Sequence, residues 1–88
     1  MSIPISTLDA QNALWMVGDR GLGVEPTPGR VKVIRGWQRA NAVDRVVIAA
    51  RHRGLIQAYR MAKGHVDALE RLRTLVKDRL EVEQAVAA

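Results

Sequence analysis

Apolar residues recur through the second half of the chain at the spacing of an α-helix. Val43, Val47, Ala50, Gly54, Ala58, Met61, His65, Leu69, Leu72, Val76, Leu80 and Glu83 follow steps of four, three and four without a break. All of these except His65 and Glu83 are apolar or glycine. The repeat, about 3.67 residues per turn, suits a nearly straight helix or a weakly right-handed supercoil. Its phase does not slip at Gly64, and two separate helices have no need to share a phase. Only Asp67 stands nearby as a capping residue. These features favour one continuous helix, although Lys63-Gly64 also reads as a helix end followed by a left-handed glycine.

The two readings differ in consequence. A helix from Gln38 to Glu83 would be about 69 Å long, whereas a compact globule of 88 residues has a radius of gyration of about 12 Å. A continuous helix therefore implies an oligomer, and a break permits a compact three-helix monomer. The expected oligomer seam is Val47, Ala50, Gly54, Ala58, Met61, Leu69, Leu72, Val76 and Leu80. Within it Ala50, Gly54 and Ala58 are small enough for two helix backbones to approach closely. The competing occupant of that shallow groove is the chain's own N-terminal helix, with Leu14 and Trp15.

That first helix is predicted over Thr7 to Val17. Ser6-Thr7-Leu8-Asp9 resembles a capping box with Asp in place of Glu or Gln. Ala10, Ala13, Leu14 and Val17 then share one face, and Gly18 ends it. Gly18 to Arg30 carries Gly18, Gly21, Gly23, Pro26, Pro28 and Gly29, the composition of a loop. Val31 to Ile34 reads as an extended stretch, or as a strand paired across a dimer. No proline follows Pro28, and Asn41-Ala42-Val43-Asp44 offers a second capped start, with Gly36-Trp37-Gln38 an earlier option. The expected fold is thus all-α in one domain over 1–88: a helix over 6–17, a loop or extended segment over 18–36, and a helical region over 37–85. It would pack as a helical hairpin or a dimeric bundle.

Composition supports this. Phenylalanine is absent and the only aromatics are Trp15, Trp37 and Tyr59, so aliphatic residues and alanine must make the core. The absence of cysteine excludes disulfides and thiolate chemistry. Met1 to Asp9 lacks the basic and apolar regions of a secretory signal, and the longest apolar run, Val46 to Ala50, is too short to cross a membrane. The expectation is a cytoplasmic protein.

Charge gives the strongest functional hint. The net charge is +5, but Met1 to Gly29 carries −2, Arg30 to Lys63 +8 and Gly64 to Ala88 −1. On a helical projection Arg45, Arg53, Arg60, Lys63 and Arg71 lie opposite the apolar stripe, flanked by Arg51, His52, Arg73 and Lys77. Arg30, Lys32 and Arg35 extend them. Beyond residue 64 the basic residues alternate with acids in helix-supporting pairs such as Asp67 with Arg71 and Glu70 with Arg73. The expected binding residues are therefore Lys32, Arg35, Arg45, Arg51, Arg53, Arg60 and Lys63, set against the plainer reading of a solvated helix face.

The remaining candidates carry little chemistry. His52 and His65 share no helix turn and have no acidic partner at metal spacing. His52 reads as a surface residue and His65 as a packed or interface residue. Gly18-Asp19-Arg20-Gly21-Leu22-Gly23 follows a predicted helix rather than a strand and has no phosphate-binding lysine, so a flexible connector is the better reading. Ser2 and Ser6 lie in no nucleophile motif, and the carboxylates form no evident pair. Trp15 and Trp37 read as core aromatics before interface anchors. No catalytic residue, metal, cofactor or small-molecule substrate is expected. The expected function is a small basic nucleic-acid-binding accessory or regulatory protein. The alternatives are an adaptor or inhibitor, of the kind phages and mobile elements encode, whose basic face meets an acidic protein surface, or a purely structural helical oligomer.

Overall fold

Helix starts follow their cap residues. In the computed structural model, which describes residues 5–87, the Ser6 hydroxyl accepts from the Asp9 N–H at 3.0 Å and opens α1 (Thr7–Met16). Asn41 likewise accepts from the Asp44 N–H at 2.8 Å and opens α3 (Ala42–Arg51). Both starts were legible as capping boxes. Helix α2 (Pro28–Arg39) was not expected: residues 18–36 read as loop or extended chain, yet Val31 to Ile34 and the residues on either side of them are all helical. Thr27 accepts from the Arg30 N–H, and Pro28 sits in the first turn. There its missing N–H costs nothing and its fixed φ favours the helix. Thr-Pro is thus a start signal here, not a loop signal. Helices α4 (Arg53–Lys63) and α5 (Val66–Ala87) complete the chain.

The helical region is not continuous. His52, at φ −128° and ψ 52°, leaves the helical region of conformation. Its N–H still donates to the Ile48 carbonyl and its own carbonyl still accepts from the Ile56 N–H, both at 3.0 Å. One residue thus leaves helical conformation while the hydrogen bonds on either side of it persist, and the stripe passes from exposed on α3 to buried at Ala58 on α4. This is why an unbroken phase in sequence did not mean a straight axis. Gly54, a weak helix former, lies two residues on. A second break falls at Gly64, whose φ of −82° is not the left-handed glycine cap expected there. Its position is nonetheless crowded, since a Cβ at Gly64 would lie 3.0 Å from the Arg60 carbonyl oxygen.

Helices fill 78% of the described residues, and no strand occurs among them. Helices α1, α4 and α5 pack mutually around one core, and α2 and α3 pack on α4 and on each other. Ala10, Ala13 and Leu14 of α1 meet Leu55, Ala58, Tyr59 and Ala62 of α4 and Leu72 and Val76 of α5, with Ile34 entering from α2. The radius of gyration is 13.2 Å, close to the compact value.

This core uses up the expected oligomer seam. Ala58, Leu72 and Val76 are fully buried within one chain, and Met61, Leu69 and Leu80 pack partly against them. Gly54 is half-buried, and only Val47 and Ala50 of that set stay exposed. It is α1 that occupies the groove at Ala58. A charge at Leu72 would therefore attack folding rather than assembly. His65, expected on the packed stripe, is exposed in the turn between α4 and α5. Trp15 and Trp37 are half-buried, and of the two Trp37 packs on the core. The expectation for Met1 to Pro4 lies outside the described residues.

The segment from Val17 to Thr27 is a built loop, not a loose connector. Gly18, at φ +93°, closes α1, and Asp19 accepts from the N–H groups of Gly21 and Leu22 at 3.0 and 3.1 Å. Buried Asn12 donates to the Val24 carbonyl at 2.8 Å and accepts from Arg30, which also pairs with Asp9 at 2.7 Å. Asp19 reaches Arg73 of α5 at 3.4 Å. The acidic residues of the first third thus tie loop, α2 and α5 to α1.

At Gly23 the chain runs against the backbone of α1. A Cβ there would collide with the Asp19 carbonyl and stand 2.7 Å and 2.8 Å from the Trp15 backbone. Gly23→Ala should destabilise the protein by about 1–3 kcal/mol through overpacking. Gly36, mid-helix with open space around it, should do the opposite, Gly36→Ala stabilising by about 0.5–1 kcal/mol. Thermal or urea unfolding of the two variants checks both signs.

Candidate functional site

Three helices bring three cations of the basic block together around one cleft. Trp37 and Gln38 end α2, Arg45 comes from the second turn of α3, and Tyr59, Arg60 and Lys63 come from α4. Together they line an open cleft of about 470 Å³. No acidic side chain lines it. The two-residue turn at Ala40-Asn41 makes this possible, because it folds α3 back so that Arg45 lies over the end of α2.

The floor of the cleft is locked. Trp37 and Tyr59 meet edge to face, with ring centroids 6.1 Å apart and planes at 82°. The Gln38 side chain donates to the Tyr59 hydroxyl. The Arg45 guanidinium lies 4.4 Å from the Trp37 ring centroid. It also donates through Nε to the Trp37 carbonyl at 3.0 Å and through Nη2 to the Gln38 carbonyl at 2.8 Å. Arg45 thereby adds a second donor to the Trp37 carbonyl, which also accepts from the Ala40 N–H at 3.3 Å, satisfies the Gln38 carbonyl at the end of α2, and adds a cation–π contact. Its charge faces the cleft, but its geometry is already committed. Arg60 and Lys63 are exposed and uncommitted.

Among the described residues the ion pairs are Arg30 with Asp9, Arg73 with Asp19 and Arg73 with Glu70. None involves Lys32, Arg35, Arg39, Arg45, Arg51, Arg53, Arg60 or Lys63. The single acid of the block, Asp44, sits in the first turn of α3, where it favours the positive helix end. Apart from Arg30, the basic block therefore has no ion-pair partner among the described residues.

The expected binding residues do not form one helix face, because the breaks at His52 and Gly64 distribute them. Arg45, Arg60 and Lys63 share the cleft. Arg53 and Arg60 border a neighbouring groove with Val46, Ala50 and Ile56. Arg51, His52 and Arg53 sit at the α3–α4 junction, beside a wider cleft of about 590 Å³ that also contains the Asp9–Arg30 pair. Arg71 is carried away on α5. Lys32 and Arg35 lie on α2, and the helix adds Arg39 to them. These three recur at i, i+3 and i+7, opposite buried Ile34. The row escaped notice because Lys32 and Arg35 fell within the 18–36 segment read as non-helical, and the Thr27-Pro28 start was the signal that would have found it. Gln38 and Tyr59 have no comparable signal, since only the turn of α3 brings them beside the cations.

Among the described residues no group of three or more His, Cys, Asp or Glu is placed to hold a metal, and no helix is long and apolar enough to cross a membrane. Comparison of the chain with protein-family models, with curated proteins and with solved structures found no match in any of the three.

The double role of Arg45 can be checked by stability alone. Arg45→Ala should lower unfolding free energy by about 1–2 kcal/mol, as charged hydrogen bonds to the α2 carbonyls are lost. Arg45→Lys should not restore it, because an ammonium cannot stack on Trp37 and fork to two carbonyls together. Arg60→Ala, by contrast, should change stability by no more than about 0.5 kcal/mol.

Proposed function

We propose that this is a small, non-enzymatic nucleic-acid-binding accessory protein that grips the phosphate backbone through its basic cleft and the outer face of α2. The observation that supports this most is the cluster of Arg45, Arg60 and Lys63 around Trp37 and Tyr59 with no acid among them. Like charges gathered on a small protein repel one another. Their retention without acidic partners makes sense when an anion normally covers them. Arg60 and Lys63 are free to move onto phosphates, and Lys32, Arg35 and Arg39 supply a second row.

Recognition in this reading is by backbone rather than by base. Tyr59 is 3% exposed and Trp37 is roofed by Arg45, so neither ring offers a free face for a base to stack on. The exposed side of α3, which the short α2–α3 turn presents, is centred on valines, with its charged residues Asp44 and Arg51 confined to one flank. Binding should therefore be weakly sequence-specific and strongly dependent on salt.

Retention of labelled single- and double-stranded oligonucleotides over a series of salt concentrations tests this. Each phosphate neutralised contributes a slope of about 0.9 on a log-log plot for duplex DNA and about 0.7 for single strands. Arg60→Gln with Lys63→Gln should weaken binding to all sequences alike and reduce the duplex slope by about 1.8. Arg45 must stay intact in such a variant, because its loss would unsettle the cleft itself. Absence of retention even at low salt would reject the nucleic-acid reading. If the same variant then lost a stoichiometric acidic protein partner, the cleft would be a protein-docking surface instead.

A further inference from the structure

Helix α3 is inside out. It is the only helix with no buried residue, and its apolar face is turned to solvent. Val43 is 72% exposed, Val46 69% and Val47 46%, and Ala50 is exposed beside them. At 3.6 residues per turn these four occupy one continuous face. The half-buried residues Arg45, Ile48 and Ala49 lie on the opposite side, toward the body of the protein. An apolar face this exposed on an otherwise ordinary helix marks an interaction surface.

The charges beside that face say what covers it. Asp44 and Arg51 are seven residues apart and so lie on the same flank of the apolar face, one at each end of α3. Both are exposed, and neither belongs to an ion pair among the described residues. When two copies of α3 pack face to face and antiparallel, the two-fold axis perpendicular to both helices keeps this flank on one side of the pair. It also brings the N-terminal end of one helix level with the C-terminal end of the other. Asp44 of each copy then stands beside the partner's Arg51, and both ion pairs form at once. In a parallel arrangement the two-fold axis runs along the helices and puts the two flanks on opposite sides of the pair, so neither Asp44 nor Arg51 would find a partner across the seam.

We propose that α3 is the seam of a symmetric, antiparallel homodimer, with Val43, Val46, Val47 and Ala50 at its centre and two Asp44–Arg51 pairs along one edge. A closed two-fold interface of this kind stops at two copies. A single ten-residue helix per copy gives an interface at the small end of the stable range, so the dimer is weak and concentration-dependent. The proposal does not rest on nucleic-acid binding; it keeps Val47 and Ala50 of the seam expected from the sequence and drops Ala58, Leu72 and Val76, which the core of one chain consumes.

Sedimentation equilibrium from micromolar to sub-millimolar concentration tests it. The parent should dimerise with no larger species. Val46→Lys should leave thermal stability unchanged, because the side chain is exposed, yet hold the protein monomeric. Asp44→Lys and Arg51→Glu should each weaken the dimer by about tenfold or more, two pairs being lost per dimer. The double swap Asp44→Lys/Arg51→Glu should recover affinity to within about threefold, since the pairs re-form with reversed polarity. A protein monomeric throughout, a higher oligomer, a dimer indifferent to Val46→Lys, or a swap that fails to recover would each overturn the proposal.

Discussion

The close approach of α1 to α4 is the contact from which the rest of the structure follows. Ala10 and Ala13 on one helix and Ala58 and Ala62 on the other are nearly inaccessible, and their small side chains let the two backbones come together. With α1 seated there, Leu14, Leu72 and Val76 complete a core that needs no phenylalanine. Helix α4 is then held on its inner side, and its outer edge is left to carry Arg53, Arg60 and Lys63. It is also the only helix that touches all four others. A shift of α4 would move the core and the basic cleft together.

Charge divides the protein's labour. Asp9 and Asp19 are spent on folding, where each meets an arginine from a distant part of the chain. The cations between Lys32 and Lys63 have no such partners, and only Arg45 is occupied in holding local structure. Such a distribution leaves free cations on a rigid frame. Arg45 links the two roles, since the residue that closes the end of α2 also lends its charge to the cleft. The apolar outer face of α3 is the other surface that folding leaves unused.

How much of this was legible in the sequence depends on which physical signal each element obeys. The capped starts of α1 and α3 are local, and Ser6 and Asn41 announced them. The Thr27-Pro28 start of α2 is equally local, but the surrounding glycines and prolines masked it. The breaks at His52 and Gly64 were hidden for a different reason. At His52 a single residue leaves helical conformation between persisting hydrogen bonds, so the spacing runs on in sequence although the stripe is exposed on α3 and buried on α4. The apolar stripe was correctly read as needing to be covered, and α1, not a second chain, covers its middle. The charge asymmetry was plain, and so were most of the cations of the candidate site. That Arg45 is committed to Trp37 and Gln38, and that Tyr59 lies beneath Arg60 and Lys63, depends on a turn whose angle no spacing rule encodes.

The central claim is that the basic cleft, rather than basic charge in general, is the contact surface. A backbone and side-chain amide NMR titration with a short oligonucleotide at low salt tests it most directly. The account predicts that shifts concentrate at the Trp37 indole, the Gln38 side chain, Arg60, Lys63 and the outer face of α2, and fade as salt is added. Helices α1 and α5 should stay silent, although α5 also carries Arg71, Lys77 and Arg79. Shifts spread evenly over all basic residues, or the absence of any shift, would contradict it.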